Sequence, residues 1–360
     1  MHASPVMLVV GARPQFVKVA LLARRIGSEH PVFTVHTGQH FDDNMSKTFL
    51  ETFGLPIDCN LGIHGGSNPD MVGRMLPALE TQIKRVAPSC VVVFGDTSTT
   101  LAAALAARYT GVPVVHYEAG QRSFDLSMPE EVNRICTDHV SDLLLCASRW
   151  AEDRLHAEAV GGQIEFVGDV MLDTMVSQLD PALLERTGPP LNGPVLVTIH
   201  RQANTDDGLR LRQIVEAMTD SPQLDFVFPV HPRTRAALNR HELFEDLNAA
   251  PNIQVEPPAS YEDFLERLGR AQKVMTDSGG VQKEAHFLKV PCVTCRDATE
   301  WVETLQDGWN TLVGADRERI QGALAARPPD PTTHTYPYGR GDSVDAVTES
   351  IMAFVRKERS

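Results

Sequence analysis

Three acidic residues in the first half of the chain stand where strand-like runs end or a helical pattern begins. Asp96 follows the apolar run CVVVF, Glu118 follows VPVVHY, and Glu130 comes directly after Pro129. Each acid taken singly is equally well a helix cap or a first-turn residue that stabilises the helix dipole. Carboxylates gathered at one crevice, however, serve as general acids and bases. The set therefore points to proton chemistry at one edge of a sheet.

Other residues at predicted helix starts suit an anionic ligand. Arg13 and Lys18 lie in the first turns of the first helical pattern, where the helix dipole disfavours cations unless an anion is bound. The tripeptide Ser278-Gly279-Gly280 opens a later helix, so its N–H groups suit a phosphate, and glycine allows close approach and positive φ. The segment matches neither a Walker A loop nor G-x-G-x-x-G, so neither triphosphate hydrolysis nor dinucleotide binding is predicted.

Histidines give weaker signals. A single strand-end histidine is usually structural, but His200 and His231 end successive strand-like runs, and each is followed within two residues by an arginine. His36 and His40 have metal-like spacing, yet the intervening Thr-Gly predicts a loop without a carboxylate partner. The sequence therefore predicts no metal site.

Composition is typical of an ordinary globular protein. The chain has 360 residues, of which 42% are hydrophobic and 22% charged, and this length indicates two or three domains. No run of about 18 apolar residues and no signal-peptide pattern occurs, so we expect a cytoplasmic protein without a membrane partner. The net charge of −14 argues against nucleic acid as a partner. The pair Cys292 and Cys295 lies in an apolar run and predicts buried strand thiols in a reducing compartment.

Strand-length apolar runs alternate with helical patterns along the chain. Strands that are apolar on both faces and followed by helices are typical of a parallel sheet covered on both sides. The pattern pauses near residue 168 and then restarts. We therefore predict an α/β protein with two doubly wound, Rossmann-like domains, residues 1–168 and 169–343, and a C-terminal helix 344–360 that packs back on the first. In such folds strand ends and helix starts face a ligand-binding cleft.

The order and spacing of these motifs resemble the non-hydrolysing UDP-N-acetylglucosamine (UDP-GlcNAc) 2-epimerases, enzymes with the two-domain GT-B architecture. The similarity covers nearly the whole chain and is longest in a central block over residues 116–144. The segments that carry it are GARPQFVK, TGQH, FGDTSTTLAAALAA, HYEAGQRSFDLSMPEEVNRICTDHVSDLL, VGDVMLD, TIHRQANTDD, PVHPRTR, TDSGGVQKEA and RDATEWVETLQDGWN.

This resemblance implies a cofactor-free isomerase that inverts C2 of UDP-GlcNAc and acts as a homodimer. The family eliminates UDP across C1 and C2 to give a 2-acetamidoglucal, then adds UDP back with a proton on the opposite face. The positions that match its catalytic residues are Asp96, Glu118, Glu130 and His200, with Glu131 a helix-start neighbour. The positions that match its substrate- and UDP-binding residues are Arg13, Lys18, Ser278, Gly279, Gly280 and Glu284, the last at the ribose.

The chain departs from the family pattern in several places. Ala203 replaces a Glu, Gln121 replaces a Leu, and Trp301 stands where one branch has an Arg near the nucleotide. We expect Arg296 to take over the contribution of that Arg. The stretch Phe41–Asn44 does not match the polar residues that bind an activating second UDP-GlcNAc in some bacterial members. We therefore expect such activation to be weak or absent.

Four other activities remain open. The hydrolysing branch would release free N-acetylmannosamine (ManNAc). A 2-epimerase of UDP-2,3-diacetamido-glucuronic acid would need a further cation for the sugar carboxylate, such as Arg122, Arg134 or Arg233. A GT-B glycosyltransferase and a UDP-sugar-binding protein without catalysis both predict no exchange of solvent hydrogen at C2.

Overall fold

The computed structural model describes residues 3–39, 55–184 and 188–357. The chain divides into two compact units, Met1–Thr174 with Pro337–Ser360, and Met175–Tyr336. The division falls within the helix Val170–Gln178, a few residues beyond the predicted boundary at residue 168. The last predicted helix extends over Ser343–Lys357 and belongs to the first unit.

The first unit is built on a seven-stranded parallel sheet. The strands are β1 (Val6–Val10), β2 (Val32–His36), β3 (Cys59–Asn60), β4 (Cys90–Phe94), β5 (Val114–Tyr117), β6 (Leu143–Cys146) and β7 (Gln163–Phe166). Their order in the sheet is β3-β2-β1-β4-β5-β6-β7. The order reverses between β1 and β4, so the carboxyl ends of these strands flank the switch point at which doubly wound folds bind ligands.

Helices cover both faces of this sheet. They are α1 (Arg13–Gly27), α2 (Asn68–Val86), α3 (Ser98–Tyr109), α4 (Pro129–Val140), α5 (Arg149–Glu158), α6 (Val170–Gln178) and the C-terminal helix. Leu8 and Val10 belong to the core cluster that includes α1 and the C-terminal helix, while Met7 and Val9 pack with α2 and α3. Burial on both faces explains why β1 is apolar at every position.

The alanine-rich helix α3 is a core helix. Its alanines are fully buried in the cluster that also contains α2 and the strands of the first sheet. The buried residues are Ala102, Ala103, Ala104, Ala106 and Ala107. The sequence favours core burial and a subunit contact equally for this helix, and its alanines prove to be part of the core.

The second unit repeats the architecture with six parallel strands. These are β8 (Val195–Thr198), β9 (Phe226–Pro229), β10 (Ile253–Glu256), β11 (Lys273–Thr276), β12 (Cys292–Thr294) and β13 (Asn310–Leu312), in the order β10-β9-β8-β11-β12-β13. Its helices are α7 (Pro181–Leu184), α8 (Gln202–Thr205), α9 (Gly208–Thr219), α10 (Pro232–Arg240), α11 (Phe244–Ala249), α12 (Tyr261–Arg270), α13 (Gly279–Phe287) and α14 (Arg317–Ala325). The switch point lies between β8 and β11.

Both sheets are parallel throughout, so the predicted pair of doubly wound α/β domains is confirmed. Cys292 and Cys295 are buried free thiols, as predicted. Among the described residues, no helix is both long and apolar enough to cross a membrane.

Candidate active site

Gln15 joins the two loops that flank the switch point of the first unit. Its Oε1 accepts hydrogen bonds from the backbone N–H groups of Gly11 and Ala12 at 2.9 and 3.0 Å. Its Nε2 donates to the carbonyl oxygen of Phe94 at 2.7 Å. The first turn of α1 thereby fixes the end of β1 against the end of β4, immediately before the loop that carries Asp96.

Asp96 follows β4 and is held by two residues of α4. Arg134 donates from Nη2 to Asp96 Oδ2 at 2.5 Å, and Asn133 donates from Nδ2 to the Asp96 carbonyl oxygen at 2.8 Å. Burial raises the pKa of Asp96 above its usual value; the negative charges of Glu118 and Glu130 raise it too, against the opposing effect of Arg134. Both glutamates are therefore close enough for their charges to act on Asp96, and a carboxyl with a raised pKa suits proton transfer.

Glu118 follows β5 in an unusual backbone conformation. Its φ is 68°, in the left-handed region that residues other than glycine rarely adopt and that often marks functional positions. Lys18 of α1 places Nζ 2.5 Å from Glu118 Oε1. Burial alone would lower the pKa of Lys18, but the charges of Glu118, Asp169 and Asp96 raise it. The sequence predicts that Lys18 is a nucleotide-side cation. In the structure its ammonium group forms an ion pair with the Glu118 carboxylate.

The two glutamates that begin α4 lie in different environments. Glu130 is exposed, whereas Glu131 is buried and accepts hydrogen bonds from the N–H groups of Ser123 and Phe124 at 2.8 and 3.0 Å. Glu131 also pairs with Arg134 at 2.9 Å. Burial alone would raise the pKa of Glu131, but these hydrogen bonds lower it. Glu131 thus anchors the loop before α4, and Glu130 is the acid of the pair that solvent reaches.

In the second unit, Asp277 ties together the two loops at the switch point. Its fully buried carboxylate accepts hydrogen bonds at 3.0 Å from the backbone N–H groups of His200 and Arg201 and from the side-chain amide of Asn204. The same amide donates to the carbonyl oxygen of Cys295 at 3.0 Å. The loop after β8 is therefore fixed at the start of α13.

His200 presents a largely neutral imidazole at this edge. Burial lowers the pKa of His200, and the neighbouring His231, Arg201 and Arg233 lower it further. Asp277 opposes the shift, since its Oδ1 lies 3.7 Å from His200 Nδ1. A neutral imidazole offers one hydrogen-bond donor and one acceptor, which suits contact with a phosphate oxygen or a sugar hydroxyl.

The tripeptide Ser278-Gly279-Gly280 forms the N-cap and first turn of α13, as expected for a phosphate-binding helix start. Neither Gly279 nor Gly280 has a left-handed backbone, so the positive φ that glycine allows is not used here. Packing explains Gly279 instead. A Cβ atom there would lie 2.6 Å from Glu300 Oε1 and 3.3 Å from Trp301 Nε1.

Arg296 and Arg13 are the remaining candidate cations. Arg296 Nη2 pairs with Glu300 Oε2 at 2.8 Å, while its buried Nη1 has no hydrogen-bond partner among the described residues. One N–H group of Arg296 is thus available to a ligand. Arg13 begins α1, and its side chain lies outside the described part of the chain, as do His40 and the stretch Phe41–Asn44.

Glu284 lies one turn into α13, where a ribose binder is expected. Tyr261 at the start of α12 donates its hydroxyl hydrogen to Glu284 Oε1 at 2.9 Å. This contact orients the carboxylate and leaves it partly exposed. Within residues 3–39, 55–184 and 188–357, no three His, Cys, Asp or Glu side chains are arranged to hold a metal ion.

Sequence reasoning missed several residues that hold the candidate site in place. Gln15 could have been found from its place three residues after the N-cap of a helix that begins with Arg-Pro, a position at which Gln reaches back to backbone N–H groups. Asp277 directly precedes the phosphate-binding tripeptide, and only its burial distinguishes it from a further acid at a strand end. The pairing of Arg134 with Asp96 and the pairing of Tyr261 with Glu284 gave no local signal, because the partners come from distant parts of the sequence.

Two doubly wound domains, one with acids at its switch point and the other with a Ser-Gly-Gly helix start, are typical of nucleotide-sugar enzymes with the GT-B architecture. A family model described as UDP-N-acetylglucosamine 2-epimerase matches residues 26–352. These findings and the relatives described next show that the chain belongs to the UDP-N-acetylglucosamine 2-epimerase family.

Similar proteins support this assignment over nearly the full length. A UDP-N-acetylglucosamine 2-epimerase homolog of Methanococcus maripaludis is 40% identical over 353 residues, which cover 96% of this chain and 99% of that protein. The UDP-2,3-diacetamido-2,3-dideoxy-D-glucuronate 2-epimerase of Pseudomonas aeruginosa is 45% identical over 324 residues, which cover 88% and 90%. The crystal structure of Methanocaldococcus jannaschii UDP-GlcNAc 2-epimerase in complex with UDP-GlcNAc and UDP has a TM-score of 0.76 at 34% identity and covers 97% and 99%. The predicted family, GT-B architecture and isomerase class are confirmed.

Proposed function

We propose that this chain interconverts UDP-GlcNAc and UDP-ManNAc by inverting C2 of the sugar without hydrolysis. The observation that carries the proposal is the placement of Asp96 and Glu118 after the adjacent strands β4 and β5, at the carboxyl edge of the first sheet, with the charges of Glu118 and Glu130 acting on Asp96. Full-length similarity to UDP-GlcNAc 2-epimerases supports this choice of substrate.

The chemistry explains why several acids are needed. The hydrogen on C2 is weakly acidic, so its removal must accompany departure of an anionic leaving group. One carboxylate takes this proton while the C1–O bond to UDP breaks, and C1 and C2 become joined by a double bond. A second carboxyl returns a proton to the opposite face of C2 while a UDP oxygen bonds to C1 again. Atoms and charge balance without an oxidant or reductant.

The second unit supplies groups suited to the UDP moiety. In the proposal the first turn of α13 at Ser278-Gly279-Gly280 binds a phosphate, aided by Arg296. His200 contacts the diphosphate, and Glu284 accepts a hydrogen bond from a ribose hydroxyl. Positive groups around the diphosphate stabilise the charge that develops as UDP leaves.

Product analysis tests the proposal. Purified protein incubated with UDP-GlcNAc should yield UDP-ManNAc, with both nucleotide sugars intact at equilibrium, as measured by phosphorus NMR and ion-exchange chromatography. Stoichiometric release of free UDP and ManNAc would show the hydrolysing activity instead. A transferase or a non-catalytic binding protein would leave the sugar unchanged in the absence of an acceptor.

A second candidate substrate is UDP-2,3-diacetamido-glucuronic acid, because the Pseudomonas aeruginosa relative that is named for it is 45% identical. Its extra carboxylate needs a cation. Two of the three candidate arginines already pair with acids: Arg122 with Asp138 at 2.7 Å, and Arg134 with Asp96 at 2.5 Å. The third, Arg233, is exposed in the first turn of α10.

The two substrates can be distinguished by a single substitution. If the carboxylated sugar is the substrate, Arg233→Gln should raise its KM by about tenfold, the effect of losing one charged contact. The same variant should leave the KM for UDP-GlcNAc unchanged. The preferred substrate is the one with the higher kcat/KM for the wild-type protein.

The proposal includes a cytoplasmic homodimer, as the family resemblance implies. Sedimentation velocity should give a species of about twice the 39.6 kDa chain mass. A monomer that is fully active at micromolar concentration would contradict this part of the proposal.

A further inference from the structure

A buried hydrogen-bond network lies directly behind the loops that carry Asp96 and Glu118. His116 of β5 is completely inaccessible to solvent. Its Nδ1 lies 2.7 Å from Asp138 Oδ1 of α4, and its Nε2 lies 2.8 Å from the carbonyl oxygen of Gly95. Both ring nitrogens therefore face hydrogen-bond acceptors.

This geometry fixes the protonation state of the His116 ring. A neutral imidazole carries one N–H group and would point a lone pair at either the Asp138 carboxylate or the Gly95 carbonyl. With a proton on each nitrogen, both contacts become hydrogen bonds, and the contact with Asp138 is an ion pair. Among the possible states, only the doubly protonated ring, a cation, donates at both contacts.

Neighbouring charges balance this cation. Arg122 donates to Asp138 Oδ2 at 2.7 Å and pairs with Glu158 at 2.6 Å, so the four side chains carry two positive and two negative charges. Burial alone would raise the pKa of Asp138, but the hydrogen bonds and charges of His116 and Arg122 hold it below its usual value. A buried ion pair that is balanced and fully hydrogen-bonded in this way holds a fixed geometry.

The network ends on the backbone of both acid-bearing loops. His116 holds the carbonyl of Gly95, the residue before Asp96. Asp138 Oδ2 accepts a hydrogen bond at 3.2 Å from the N–H group of Gly120, two residues after Glu118. One buried pair thus fixes the distance between two loops that leave adjacent strands.

We propose that His116 is a doubly protonated positioning residue that, together with Asp138, sets the spacing of the Asp96 and Glu118 carboxylates. The inference rests on the proposed function, because it assumes that these acids transfer the protons at C2. His116 does not contact substrate in this account, and its effect reaches the reaction only through the two loops.

Two substitutions of His116 each keep one of the two ring contacts and remove the other. His116→Asn retains a donor near the Nδ1 position and loses the bond to Gly95, so kcat for C2 inversion should fall by about 100-fold, the effect of misplacing a catalytic group. The KM for UDP-GlcNAc should stay within about threefold, because the proposed phosphate-binding residues are mostly in the second unit. His116→Gln retains a donor near the Nε2 position and should recover part of the lost kcat.

A matched control is His30→Gln. His30 is also buried in the first unit, where its Nε2 lies 2.9 Å from the carbonyl oxygen of Ser4, far in sequence from the acids. This variant should retain wild-type kcat. Wild-type kcat in His116→Asn would overturn the inference, and so would equal losses in His116→Asn and His30→Gln.

Nitrogen-15 NMR of histidine-labelled wild-type protein tests the protonation state without relying on any variant's activity. At about pH 8, where ordinary histidines are neutral, both His116 ring nitrogens should carry hydrogen. The signals are assigned by their loss in His116→Gln. A neutral His116 ring in an active protein contradicts this inference alone, whereas an inactive wild-type protein contradicts the proposed function.

Discussion

The two switch points of this molecule have the same strand order and opposite chemistry. In each unit the first strand of the sheet pairs with the fourth in sequence, and an aspartate follows that fourth strand. Asp96 follows β4 with 32% of its side chain exposed and one ion pair to Arg134. Asp277 follows β11 with no exposure, and its carboxylate accepts three hydrogen bonds from the loop after β8.

This difference shows how one fold separates two roles. The Asp277 carboxylate accepts hydrogen bonds from three N–H donors of the polypeptide and acts as a scaffold. The Asp96 carboxyl is partly buried and lies beside other acids, so its pKa is raised and it can exchange protons. The role therefore follows from the partners of the aspartate and not from its position after the strand.

The largest expected effect comes from Asp96. Asp96→Asn removes a proton-transfer group while preserving its shape, so kcat should fall by about 10²–10⁴-fold with little change in the thermal midpoint. Steady-state kinetics and a melting curve measure both quantities. Asp153→Asn, an exposed change in the same unit, should retain full activity. A kcat within about threefold of wild type in Asp96→Asn would remove this residue from the proposal.

Asp277 should show the reverse pattern, with stability affected first. Asp277→Ala leaves the N–H groups of His200 and Arg201 and the Asn204 amide without their acceptor, so the free energy of unfolding should fall by about 3 kcal/mol. Urea titration followed by circular dichroism measures the loss. Asp225→Ala, at an exposed position of the same unit, should change stability by less than about 0.5 kcal/mol. Unchanged stability in Asp277→Ala would refute the scaffold role.

A substitution of Arg134 tests what sets the pKa of Asp96. Burial raises this pKa and Arg134 lowers it, so Arg134→Gln should raise it further. If Asp96 is the base, it must be ionised to act, and the acidic limb of the kcat profile should therefore move to higher pH. Arg149→Gln, which breaks an exposed pair with Glu152, is the control and should not move the limb. A shift to lower pH would contradict the assignment.

Tyr261 should give the smallest effect. Tyr261→Phe removes one hydrogen bond to Glu284, so KM for the UDP sugar should rise by about two- to fivefold, equivalent to about 0.5–1 kcal/mol, with kcat unchanged. Tyr109→Phe, at a residue that is 76% exposed, should leave both constants unchanged. A fall in kcat at constant KM would place Glu284 in the chemistry and not at the nucleotide.

Much of this arrangement could be predicted from the sequence because parallel strands obey strict rules. Apolar runs followed by helices predict doubly wound sheets, and acids after such runs must lie at the carboxyl edge. The order of the strands around β1 and β4 then brings Asp96 and Glu118 to the same edge. Local patterns were sufficient for these features because each depends on residues close together in the chain.

The partners of the site residues could not be predicted in this way. Lys18 and Glu118 are a hundred positions apart, and only the fold of the first unit, which places the start of α1 and the end of β5 at the same edge of the sheet, brings them together. In the sequence, Gly279 suggests a residue chosen for its backbone conformation. In the structure, the side chains of Glu300 and Trp301 lie where a Cβ atom at this position would be. Glu130 is exposed and Glu131 is buried because the loop at Ser123 and Phe124 covers only Glu131. Local sequence patterns do not describe the path of such a loop.

Exchange of solvent hydrogen at C2 tests the central claim most directly. UDP-GlcNAc is incubated with the protein in D2O, and proton NMR follows the C2 signal of the sugar. The account predicts that each inversion introduces deuterium at C2, so that UDP-ManNAc appears with deuterium at this carbon. Formation of UDP-ManNAc that retains its original C2 hydrogen would contradict proton transfer through the acids of the first unit, and so would the absence of both exchange and product.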